Sequence, residues 1–165
     1  MKNLIVLASA LLFLIPFART TSATSSTTTK TTAQMTRLPF QGVGESTEIY
    51  RVNVSMLSVT ASGSGVANEL GQFTARYAAE VNLLDLSWSE STEFVGVNGD
   101  SIQMKGAGQA TASRTPTMFN LIEIYTITGG TGRFTGASGT ITLHRLFSIA
   151  TGAASDTFEG YIFIP

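Results

Sequence analysis

Residues 127–144 read ITGGTGRFTGASGTITLH, five glycines in eighteen positions, and the segment ends in alternating polar and apolar side chains. A glycine-rich run of this kind has two ordinary uses. It cradles a phosphate ahead of a helix, or it turns the chain between two strands. Gly130, Gly132 and Gly136 give G-x-G-x-x-x-G, superficially a dinucleotide fingerprint. That fingerprint works only where a helix starts at the loop, so that its first amides face the pyrophosphate. Here Ala137-Ser138-Gly139-Thr140-Ile141-Thr142 follows, and a glycine with β-branched residues opens a strand. A phosphate loop would also need Lys and then Ser or Thr after Gly136, where Ala137 stands. The run therefore reads as a corner between strands. Gly129, Gly130, Gly132, Gly136 and Gly139 are its structural glycines, and Phe134 points inward as a plug. Gly130 is expected to hold a positive φ, which glycine adopts at no steric cost.

The same period of two runs through the rest of the chain. Expected strands cover Phe40–Glu45, extending toward Tyr50, then Arg51–Ser62, Gln72–Leu84, Thr92–Val97, Ser101–Ala110, Phe119–Thr128, Thr140–Phe147 and Thr157–Ile164. Asn98-Gly99 between two of them is the clearest hairpin signal. Arg76–Leu86 (RYAAEVNLLDL) admits either a helix or a strand preceded by a turn at Glu69–Gly71. Short strands at this spacing predict a β-sandwich or a small antiparallel barrel. In FNLIEIYTI, residues 119–127, both faces are apolar in the middle. A lone barrel needs one apolar face, so the second is expected to meet another subunit; a sandwich burying both faces is the competing explanation.

Two segments precede the domain. Lys2 followed by the fourteen apolar residues Leu4–Phe17 has the form of a secretory signal peptide, expected to end at Ala23. In residues 19–37 twelve of nineteen are Ser or Thr, too polar to offset the entropy of ordering, so 24–37 reads as a flexible tether. The folded domain is expected over 38–165, and the chain's destination is secretion or the periplasm. Without residues 1–23, eight basic face eleven acidic residues, a net charge of about −3 with no basic run. Nucleic acid and anionic membrane surfaces are therefore poor partners. The chain has no cysteine, hence no disulfide framework, thiolate metal site or thiol nucleophile. Asn53-Val54-Ser55 is a glycosylation sequon only in a eukaryotic secretory route.

The search for chemistry returns few groups. His144 is the only histidine and lies opposite the face of Ile141, Leu143 and Phe147, facing solvent or an interface. Glu90 and Glu93 in SWSEST read as a solvated surface pair. Glu123 shares a face with Phe119, Leu121, Tyr125 and Ile127. If that face lines a lumen, its pKa is raised by desolvation. Otherwise it caps the barrel mouth or pairs with Arg133 or Arg145. No metal or cofactor is expected.

YTITGGTGRFTGASGTITLH followed by TFEGYIF resembles the C-terminal half of the allene oxide cyclase barrels. The Gly-Gly-Thr-Gly-x-Phe element is similar to one in dirigent proteins, and GSGVANELGQFT (63–74) with VNGD (97–100) resembles segments of secreted bacterial members. The resemblance is specific over about 119–164 and weaker over 38–118. It implies an all-β fold, a single antiparallel eight-stranded barrel with an apolar lumen, assembled as a dimer or trimer. The plant cyclases close a cyclopentenone from an unstable fatty-acid epoxide held in that lumen near a buried glutamate, a place that the resemblance offers to Glu45 or Glu48. Their motif includes a cysteine, absent here, so the plant reaction does not transfer directly.

The expected function is a secreted barrel that holds a small apolar ligand against Phe119, Leu121, Ile127, Phe134, Ile141, Leu143 and Phe147. The alternatives are a cofactor-independent cyclase or isomerase using Glu123, Tyr125 and Glu45, and a structural surface module. A lumen filled by side chains would leave only the last.

Overall fold

The computed structural model describes residues 34–109 and 117–165. The expected signal peptide, and the tether up to residue 33, lie outside the described residues. Eight strands follow one another: β1 (Thr36–Asn53), β2 (Met56–Ala67), β3 (Gly71–Asn82), β4 (Ser87–Gly96), β5 (Ser101–Gln109), β6 (Met118–Gly130), β7 (Ser138–Ser148) and β8 (Ala153–Ile164). One 3-10 turn, Gly132–Phe134, lies between β6 and β7. Each strand pairs antiparallel with the next, and β8 pairs back onto β1 to give a closed barrel in sequence order. The closing ladder runs from Thr36 opposite Ile164 to Thr47 opposite Ala153. Closure leaves neither edge unpaired.

Alternation decides which side chains enter. On β7, Ile141, Leu143, Arg145 and Phe147 are buried, and His144 and Leu146 are exposed. On β6, Glu123, Tyr125 and Ile127 are buried while Ile122 and Ile124 face out. The barrel, not a sandwich, thus accounts for the inner apolar face. Arg76–Asn82 continues β3 and is not helical.

One end of the lumen is solid. The rings of Phe73 and Phe94 stack at 4.4 Å, and Phe158 lies 5.5 Å from Phe94 and 5.4 Å from Phe40. Ile102, Ile141 and Ile162 fill the gaps, each fully buried. Such aromatic pairs add to the burial of their large apolar area. Phe134, fully buried, closes this end as the expected plug.

Two sequence readings need correction. Arg51–Ser62 is not one strand: a two-residue turn at Val54-Ser55 separates β1 from β2, with Asn53 opposite Met56. No glycine or Asn-Gly pair marks it, and Val54 itself holds φ 42°. The corner glycines also divide differently. Gly129, Gly132, Gly136 and Gly139 have positive φ, but Gly130 does not. Gly130 is needed for close approach: a Cβ there would sit 2.0 Å from the Ser101 carbonyl oxygen and 2.8 Å from Phe134 Cβ.

Gly130→Val should therefore destabilise the barrel by more than ~4 kcal/mol and abolish soluble expression. Gly136→Ala, at φ 75° with only the terminal Pro165 ring close by at 3.2 Å, should cost only about 1–2 kcal/mol in urea unfolding. A soluble Gly130→Val protein with an unshifted urea midpoint would contradict the close-approach account.

Candidate functional site

The other half of the lumen is polar and open. Inward positions of six strands converge there: Glu48 and Tyr50 from β1, Tyr77 from β3, Glu90 and Thr92 from β4, Glu123 and Tyr125 from β6, Arg145 from β7 and Asp156 from β8. Register brings them together, since Arg145 lies directly opposite Asp156 and Glu123 opposite Leu143, two residues away.

Arg145 is the hub. Its Nη1 donates to Glu48 Oε1 at 2.9 Å and its Nε to Asp156 Oδ1 at 3.0 Å. Glu123 Oε2 lies 3.7 Å from Nε, an ion-pair contact without a hydrogen bond. The guanidinium carbon sits 5.0 Å from the Tyr77 ring centre. The carboxyls are tied in turn: Tyr125 donates to Glu123 Oε2 at 3.2 Å, Thr92 to Glu90 Oε1 at 2.7 Å, and Tyr50 to Glu48 Oε2.

Four carboxyl groups thus surround one guanidinium in a site largely closed to water. Burial pushes Glu123 up to about 7; Arg145 pulls it back, and the neighbouring Glu90 pushes it further up. Burial also raises Glu90, against the pull of Arg145 and the hydroxyls of Thr92 and Tyr125. Asp156 is raised by burial despite its bond to Arg145. Burial works against the Arg145 charge, but the carboxyls outweigh it and hold it protonated. Tyr125 is held well above the ordinary phenol range by burial and by Glu90 and Glu123, so it is a hydrogen-bond donor at any ordinary pH.

Above this cluster lies a pocket of ≈ 390 Å³. Glu48, Tyr50, Glu90, Glu123 and Arg145 form its polar part. Val59, Ala79, Val81, Trp88, Leu121 and Phe147 form its apolar wall. It occupies the end of the barrel that carries the β1–β2, β3–β4 and β7–β8 turns. An apolar enclosure with a few converging polar groups is the usual form of a small-molecule site. Among the described residues no group of three or more His, Asp or Glu is arranged to hold a metal ion.

The sequence-derived residues separate into three sets. Glu123 lines the pocket, and Tyr125, fully buried in the core beneath it, donates to its carboxyl. Leu121 and Phe147 line it, and Phe119 stacks on Phe147 at 6.2 Å. Ile127, Phe134, Ile141 and Leu143 face inward as expected but belong to the packed core, not to the pocket. Glu45 is misassigned. It lies exposed on the outer face of β1, and Glu48, three residues on and hence on the opposite face, enters the lumen. Glu90 and Glu93 are not a surface pair, because SWSEST is the body of β4; Glu90 is buried and Glu93 points to the other side. Arg133 pairs with Glu69 at 2.6 Å on the surface, leaving Arg145 as the partner of Glu123. His144 is exposed. Arg145 and Asp156 were missed as site residues, although Arg145 is in phase with Leu143 and Phe147, and Asp156 with Phe158.

No protein-family model matches the sequence. No curated protein matches it either. Solved structures do match in fold. The pterocarpan synthase dirigent protein GePTS1 superposes with a TM-score of 0.58 at 12% identity, covering 88% of this chain and 99% of that one. The pterocarpan synthase dirigent protein PsPTS1 gives 0.56 at 13% identity, covering 80% and 96%. The chain is an all-β, single closed antiparallel eight-stranded barrel of the kind those dirigent proteins have.

Removing Arg145 should strand buried carboxylates. Arg145→Met is expected to lose about 3–5 kcal/mol at pH 8, measured by urea unfolding, and less at pH 5 where the acids protonate. The wild type has its own pH signature. Glu123 binds its proton with a pKa of about 7 in the fold against 4.5 ordinarily, so the native state holds more protons between those values. Stability therefore falls as pH rises from about 4.5 through 7, by roughly 3 kcal/mol from this group. Urea midpoints should be higher at pH 5 than at pH 8, and Glu123→Gln should flatten the slope. A wild-type midpoint that climbs with pH over this range would contradict the assignment.

Proposed function

We propose that the open half of the lumen binds a small, largely apolar molecule carrying an oxygen function, and that Glu123 protonates that oxygen. The barrel then acts as a cofactor-independent cyclase or isomerase. The observation that carries this reading is a carboxylic acid with a pKa of about 7 beside a pocket of ≈ 390 Å³ in the mouth of the barrel. An acid poised near working pH is the efficient proton donor. Tyr125 and Arg145 fix its position. The walls at Trp88, Leu121 and Phe147 select one folded conformer of the ligand, which by itself lowers the barrier to ring closure.

In the proposed step the proton moves from Glu123 to the ligand oxygen, and the C–O bond opens with its electron pair on that oxygen. The cationic carbon is stabilised by the neighbouring carboxylates and aromatic faces. An internal nucleophile closes on it, and the proton it releases returns to Glu123. The two similar solved structures are pterocarpan synthase dirigent proteins, which supports a barrel of this shape serving a synthase. A pocket of this volume argues against a purely structural module.

The same proposal includes export directed by residues 1–23, with action outside the cell or in the periplasm. It also includes assembly as a homodimer or trimer, supported by Ile122 (69% exposed) and Ile124 (59%) on the outer face of β6.

Native mass spectrometry of the purified protein reports subunit number and any co-purified molecule together. With that molecule as probe, Glu123→Gln should retain binding and lose its pH dependence between about 5 and 8. Conversion should fall roughly 100-fold or more. An unchanged pH profile in the variant would remove Glu123 from the mechanism.

A further inference from the structure

The two ends of the barrel are built from different residues. At the end away from the pocket, the turns hold Asn68, Glu69, Asn98 and Asp100, and positive φ falls on Gly71, Gly99, Gly132 and Gly136. At the pocket mouth Gly152 (φ 72°) serves the β7–β8 turn, but the β1–β2 and β3–β4 turns have no glycine. The two non-glycine residues with positive φ among the described residues, Val54 (φ 42°) and Leu86 (φ 61°), are both apolar and both lie in mouth turns. Val54 is 97% exposed, Leu84 82%, Val52 71% and Ile149 55%. A left-handed turn position is normally filled by glycine or asparagine, and a β-branched residue is the worst choice for it. Val54 is thus unfavourable for the turn and unfavourable in water. A doubly unfavourable residue on a rim points to a function for the side chain.

The tips form one unit, since the Leu83 amide donates to the Ser55 carbonyl at 2.8 Å and joins the β1–β2 turn to the β3–β4 turn. Charge on this unit is small: Asp85 in one tip, with Arg51 and Glu80 below the tips at one level, both opposite Ser58.

We propose that this rim docks the barrel, pocket mouth first, on an electrically neutral phospholipid surface, with Val54 and Leu84 inserted at the headgroup–acyl boundary. So little charge suits zwitterionic headgroups, and its slight negative excess gives no attraction to anionic ones. Separate projections around an opening suit insertion into a fluid interface. A second copy of the chain would need a continuous face of roughly 800 Å² to bind stably, which tips around a hole do not present. Docked this way, the lumen faces the phase in which an apolar ligand is most concentrated. The inference stands apart from the acid chemistry assigned to Glu123.

The test compares the mature wild type, starting at Thr24, with the Val54→Asn/Leu84→Asn double variant and with Val97→Asn, a change of an exposed aliphatic at the other end. Asparagine accepts the φ at position 54, so the double variant should unfold no more easily than wild type. Co-sedimentation with pure phosphatidylcholine vesicles should show wild type and Val97→Asn binding alike and the double variant at least roughly tenfold weaker. Adding phosphatidylserine should leave wild-type binding unchanged. Equal vesicle binding by all three proteins, or none by wild type, would overturn the proposal. So would an oligomer in vesicle-free sedimentation that the double variant dissociates while vesicle binding persists, because the rim would then belong to a second copy.

Discussion

A single guanidinium buried in the barrel organises the molecule. A charge of that kind is far too costly to leave uncompensated in an enclosed site, so Arg145 requires carboxylates on the strands around it. Glu48 and Asp156 meet that requirement directly, from β1 and β8. Those two strands form the seam that closes the barrel, so the ion pairs that neutralise Arg145 also pull the seam together. The arrangement over-supplies negative groups, with Glu90 and Glu123 added to the two that bond Arg145. Burial first, and then the neighbouring Glu90, keeps a proton on Glu123 near neutral pH against the pull of Arg145. The proton that the proposed chemistry uses thus comes from sealing this crowded cluster away from water.

The division of the lumen follows from the same economy of side chains. Phenylalanines on β1, β3, β4 and β8 pack one end to solidity and supply the apolar burial that a chain without cysteine needs. With stability secured there, the other end can hold polar groups and empty volume. The two ends also differ at their turns: positive φ is taken by glycines alone below, and by Val54 and Leu86 as well as Gly152 above, so the barrel has a direction along its axis.

Much of this was legible from a period of two. Alternation in FNLIEIYTI placed Glu123 and Tyr125 on the inner face, and the glycines after Thr128 indicated a corner with Phe134 inside. The same rule applied to TITLHRLF would have put Arg145 inside, with Ile141, Leu143 and Phe147. A charged residue in phase with three apolar ones tends to be read as a solvated exception, and only cross-strand register shows that Asp156 stands opposite it. Glu45 and Glu48 illustrate a sharper limit. They differ by an odd number of positions, so choosing between them needs the phase of β1, and glycines at positions 42 and 44 leave that phase unmarked. The Val54-Ser55 turn was hidden because its residues carry no turn signal; tertiary pairing of β1 with β2 overrides their local preference. Whether the lumen would be filled or open lay beyond sequence, since it depends on which inward side chains share a level.

The most direct test of the central claim is the titration of Glu123 itself, followed by the carboxyl carbon chemical shift in ¹³C-labelled protein and assigned by its absence in Glu123→Gln. A midpoint near 7 is the predicted result. A midpoint at or below the ordinary 4.5 would mean that Glu123 is ionised beside Arg145 throughout the working range, and the barrel would have no acid to offer.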